Sequence, residues 1–93
     1  MPYIDQNSRH VLKQYIENLE NVLALGGHKP GNLNYVITKL VLAHWNHDQC
    51  YATIAHITGV LNDVKTEFER QVVAKYEDEK IEQNGPIYEE GGV

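Results

Sequence analysis

The chain is short of several things, and each shortage excludes something. It holds one cysteine, Cys50, in 93 residues. No disulfide can form within it, and a reducing, cytoplasmic setting is expected. Lys and Arg number 8 against 13 Asp and Glu, for a formal net charge of −5. That argues against a general nucleic-acid binder, whose affinity comes from Lys and Arg set against phosphates. No apolar run approaches the roughly 18–20 residues of a membrane span, so no membrane partner is expected. The opening MPYIDQNSRH lacks the basic start and apolar stretch of a secretion signal. Gly-x-Ser-x-Gly, His-Glu-x-x-His and P-loop patterns are all missing. The expectation is therefore a protein that is not an enzyme and carries no cofactor.

What the chain does have is helical periodicity. A first helix is predicted from about Asp5 or Ser8 to Leu25, with Val11, Leu12, Tyr15, Ile16, Leu19, Val22 and Leu23 on one stripe. Asp5 or Ser8 can cap it, Gly26-Gly27 supplies a left-handed stop, and Pro30 forbids continuation. A second is predicted from about Asn32, as N-cap, to Asn46, with Leu33, Val36, Ile37, Leu40 and Val41 on its apolar face. A third starts near Asp48 or Tyr51 and runs towards Gln83, where Asn84-Gly85-Pro86 stops it. The short linker GGHKPG predicts antiparallel packing of the first two. The fold class is all-α: a three-helix antiparallel bundle with a long C-terminal helix and short extended termini. Residues 1–88 are read as one helical domain and 89–93 as a disordered acidic tail.

The third helix would be roughly 50 Å long at 1.5 Å per residue, against a diameter near 30 Å for a compact chain of this size. It must bend, break or overhang. Ile54, Ile57, Leu61, Val64 and Phe68 make a seam at near-heptad spacing, after which the apolar positions drift to Val72 and Tyr76. An overhang leaves apolar surface for a second subunit, so a homo-oligomer is expected. On the other side of that helix, Ala52, Ala55 and Gly59 form a small-residue stripe. Gly inside a helix costs about 1 kcal/mol relative to Ala; close helix approach is the expected compensation, with room for a ligand against the backbone as the alternative.

Three groups of side chains are candidates for chemistry. His44-x2-His47-x2-Cys50, with Asp48 and His56 nearby, collects metal-capable residues. A zinc site would want a second ligand pair at defined spacing, and none exists, so no metal site is expected. Glu77, Asp78, Glu79 and Glu82 form an acidic run of the kind usual on a solvated helix end. Six Tyr stand against one Phe, and Tyr offers a stacking face together with a hydroxyl. Asn34, Tyr35, Thr38 and Lys39 on the second helix, with Arg70, Lys75, Tyr76 and Lys80 on the third, could supply both base stacking and phosphate contacts. From these, Asn34, Tyr35, Arg70, Tyr76 and Lys80 are the candidate ligand-binding residues.

MPYI at the start, GNLNYVITKL at 31–40, YATI with GVL across 51–61 and KTEFERQVVAKYEDEKIEQNG at 65–85 resemble a widespread family of small phage and prophage proteins catalogued as a domain of unknown function. Members usually carry proline where this chain has Lys75, which puts in question a helix break at Tyr76. The resemblance implies a small helical accessory protein acting in a host cytoplasm and transfers no catalytic residue. Small phage proteins of this size act as sponges for the cyclic or ADP-ribose-derived messengers of bacterial immunity. The first functional expectation is thus sequestration of a nucleotide-derived signal. The alternative is an acidic module that blocks a host enzyme through Glu77, Asp78, Glu79 and Glu82.

Overall fold

Asp5 begins the architecture. Its side chain accepts from the Ser8 N–H at 2.7 Å, which decides between the two predicted caps and starts α1 (Gln6–Leu25). In the computed structural model residues 4–86 are described; 87% of them are helical, with no strand among them. The predicted extended ends at Pro2-Tyr3 and Ile87-Tyr88, and the predicted tail 89–93, lie outside the described residues. By contacts within the chain the protein falls into two units, Met1–Ile57 and Thr58–Val93.

α1 closes on a left-handed cap. Gly27 sits at φ +80°, its N–H donates to the Ala24 carbonyl, and the His28 N–H donates to the Leu23 carbonyl at 3.0 Å. This crossed pair satisfies the last carbonyls of α1, and a Cβ at Gly27 would strain the turn. α2 (Pro30–His47) then begins earlier than the sequence predicts. Asn32 is not its cap. Pro30 occupies the first helical turn, where its missing N–H costs nothing, and Lys29 precedes it without a capping side chain. The Asn32 amide lies instead against Gly26, where an added Cβ would meet its Nδ2 at 2.9 Å. The proline that ends one helix therefore opens the next.

The third helix is continuous over 34 residues but not uniform. α3 (Tyr51–Phe68) leads into a π-helical turn (Glu69–Val73) and then α4 (Ala74–Asn84). The Ala74 N–H reaches back five residues to the Glu69 carbonyl. The apolar spacing accounts for this. The alternation of three and four from Ile54 to Phe68 would next select Gln71, yet the apolar residue is Val72. A wider turn takes up the one-residue slip. Lys75 and Tyr76 are regular α-helix: the irregularity precedes them and does not break the rod. Gly85 at φ +82° ends α4, its N–H donating to the Ile81 carbonyl at 2.8 Å.

No described residue is buried. On α1, Leu12 is 46% and Tyr15 63% exposed; on α2, Leu33 is 53% and Leu40 61% exposed. The three helices are as predicted, but the antiparallel packing expected of α1 and α2 encloses no core within the first unit. Their stripes are amphipathic surfaces only partly covered by the described chain, with Leu19, Leu23, Val36 and Val41 half-buried. No helix of the described residues is long and apolar enough to cross a membrane.

Candidate functional site

In the first unit, one face of α2 carries Asn34 and Tyr35. With Pro30, Gly31 and Thr38 they line an open groove of about 460 Å³. Helical spacing of three and four produces this: residues 30/31, 34/35 and 38 stack on one side of α2. The Thr38 hydroxyl donates to Asn34 Oδ1 at 3.0 Å and holds the amide plane. Tyr35 is 65% exposed, and the Lys39 ammonium stands 5.9 Å from its ring centroid.

In the second unit the same device recurs. Tyr76 is exposed on α4, with the Lys80 ammonium 5.4 Å from its ring centroid. Lys80 thus lies over an aromatic face rather than in an ion pair with Glu77 or Asp78. Arg70, in the π-helical turn, is directed elsewhere. Its Nη2 lies 2.9 Å from Glu67 Oε1 and 3.3 Å from Glu67 Oε2. Among the described residues no contact joins it to Tyr76 or Lys80. Arg70 is exposed and Glu67 half-buried; a pair open to water on the guanidinium side is weak, on the order of 0–1 kcal/mol, so an anion can compete for the guanidinium.

Five candidates were legible in the sequence, and the structure groups them by unit: Asn34 with Tyr35, and Tyr76 with Lys80, while Arg70 is tied to Glu67. Lys39 is the member the candidate set lacks. Its signal was present: Tyr-x3-Lys occurs twice, as YVITK at 35–39 and YEDEK at 76–80. That spacing places an ammonium beside a ring on one helix face.

In the histidine and cysteine segment the side-chain contacts centre on Cys50. The Cys50 Sγ donates to Asp48 Oδ2 at 3.6 Å and lies 3.5 Å from Thr53 Oγ1. The Ile54 N–H donates to the Cys50 carbonyl. These contacts organise the three-residue connection from α2 into α3. Among the described residues no three His, Cys, Asp or Glu side chains come together where they could hold a metal ion.

Neither a curated protein nor a solved structure matches the chain. The chain belongs to a family described as Domain of unknown function (DUF6899), which matches residues 1–87.

Proposed function

We propose that this family member is a non-enzymatic binding protein that sequesters a nucleotide-derived small molecule and works as an assembly of copies. The supporting observation is the repeated Tyr–Lys pair, Tyr35 with Lys39 and Tyr76 with Lys80, one pair on each unit. Each offers an exposed ring for a base to stack on and an ammonium for a phosphate beside it. Asn34, its amide held by Thr38, supplies hydrogen bonds to a base edge or ribose. Arg70 adds a second cation once the ligand displaces Glu67. Such a ligand carries negative charge to a chain of net charge −5; local cations overcome that average at short range, because charges beyond about 8–10 Å are screened. In a phage setting, the natural cargo is a cyclic or ADP-ribose-derived messenger of host immunity.

The test is isothermal titration with a panel of cyclic dinucleotides and ADP-ribose derivatives. One member is expected to bind, with Tyr35→Ala or Tyr76→Ala weakening it about 5- to 150-fold, the value of one base stacked on an aromatic ring. No heat from any member of the panel refutes the reading.

A second reading has its own observation. Glu77, Asp78, Glu79 and Glu82 on α4 are exposed, and among the described residues none is in an ion pair. This acidic face suits the basic surface of a host enzyme. Stoichiometric recovery of one host protein, lost when all four acids become Gln or Asn, would favour it.

A further inference from the structure

We propose that Asn84-Gly85 is a site of spontaneous modification, in which the Asn84 side chain loses ammonia and becomes a carboxylate, and that a single helix-ending hydrogen bond sets its rate. The inference stands apart from the binding reading above. Of the eight asparagines in the chain, only Asn84 precedes a glycine. The reaction needs the next residue's backbone nitrogen to reach the asparagine Cγ. A Cβ on that next residue crowds the approach, and glycine has none. Both residues are exposed, and nothing lies within 4 Å of where a Gly85 Cβ would stand. The other seven asparagines lie within α1, α2 or α3, each followed by a residue that carries a side chain.

The end of α4 holds the attacking nitrogen by one contact. Asn84 is the last residue of α4. Gly85 follows at φ +82°, and its N–H donates to the Ile81 carbonyl at 2.8 Å. While that bond lasts, the nitrogen keeps its proton and is directed at Ile81 rather than at the Asn84 side chain. α1 ends on the same left-handed glycine but more securely. There the N–H of Gly27 and the N–H of the next residue, His28, both donate back into the helix. The residue after Gly85 is Pro86, which has no N–H to donate. α4 therefore closes on one cap bond where α1 closes on two. Terminal helix bonds are the first to open, and opening this one releases the nitrogen.

Once released, the Gly85 nitrogen gives its proton to water and attacks Asn84 Cγ. The N–Cγ bond forms, the Cγ–Nδ2 bond breaks, and Nδ2 leaves as ammonia after taking up a proton. Water then opens the cyclic imide. Addition at Cγ yields an aspartyl residue with the original backbone. Addition at the former backbone carbonyl yields an isoaspartyl residue, with the chain running through the side chain. In both cases asparagine and water become a carboxylic acid and ammonia, and the acid ionises. The new charge lies at the C-terminal end of α4, where the helix dipole opposes it, in a turn that already holds Glu82. The isoaspartyl product also lengthens the main chain by one atom and takes the Gly85 N–H out of register with the Ile81 carbonyl. The reaction thus loosens the last turn of α4, and that turn does not re-form.

The test keeps the full chain in mildly alkaline buffer, with and without urea. Samples taken over time are mapped by proteolysis and mass spectrometry, and isoaspartyl content is read by labelling with isoaspartyl methyltransferase. Asn84 is expected to react before any of the other seven asparagines, and faster in urea than in buffer. Asn84→Gln should remove the isoaspartyl label at this position. Pro86→Ala supplies the missing N–H and should slow the reaction in buffer about 2- to 10-fold, the value of one backbone hydrogen bond, with the rate in urea unchanged. Earlier reaction at any other asparagine overturns the site. Equal rates in buffer and urea, or a Pro86→Ala chain that reacts in buffer as fast as the parent, overturn its control by the cap.

Discussion

Asp5 shows how much one residue can decide. The Ser8 N–H held by its carboxylate pulls the Asp5 pKa below the ordinary aspartate value, with a smaller contribution from the Ser8 hydroxyl. Because the folded value is depressed, the stability it confers is complete above the unfolded pKa, near 4, and fades as pH falls through the lower folded one. Loss of α1 helicity on acidification, followed by circular dichroism, should therefore include a component below about pH 4. That component should be absent in Asp5→Asn, which keeps a capping oxygen but cannot titrate. A titration curve identical in the two proteins would remove this role. Gly27 is the matching residue at the other end of α1. With φ +80°, Gly27→Ala is expected to lower stability by about 1 kcal/mol in chemical denaturation. Gly31→Ala, with open space around it, is expected to be neutral or stabilising.

The informative element is the π-helical turn. Deleting Gln71 removes the extra residue and should convert Glu69–Val73 into ordinary α-helix. Amide exchange should then show i→i+4 protection through the segment and a rod at least as stable as before. The wide turn already absorbs that residue, so the deletion leaves Tyr76 and Lys80 on nearly their present face relative to α3, about 1.5 Å closer along the axis. Ligand binding through those two residues should therefore be retained together with helicity. Loss of binding with helicity intact would mean that the π-helical turn itself serves the site. The slip from Phe68 to Val72 was visible in the sequence as a drift of the apolar positions. Its form as a wide turn was not visible, because the spacing reveals only that a residue is surplus.

At the scale of the whole molecule, stability should depend on concentration. A chain whose described residues include no buried side chain has little to hold it together unless another chain covers its stripes. Thermal unfolding should shift upward by a few degrees for each tenfold rise in protein concentration. Added salt, from about 0.05 to 0.5 M, should strengthen the assembly by screening repulsion between acidic chains. A melting temperature that ignores concentration would contradict this.

What the sequence determined by itself is local. Periods of three and four, Asp5, Gly26-Gly27, Pro30 and Gly85 are enough to set three helices and their ends, because capping and amphipathicity act within a few residues of chain. The candidate residues were legible for the same reason, as types suited to stacking and phosphate contact. The start of α2 at Pro30, the partnership of Arg70 with Glu67 and the ammonium over each tyrosine also lie within four residues of chain, and the Tyr-x3-Lys spacing already carried the last of them. Only the tertiary structure decided the exposure of the apolar stripes. Periodicity says which face of a helix must leave water; whether the chain can cover that face itself depends on how its helices are arranged in space, which no local pattern encodes.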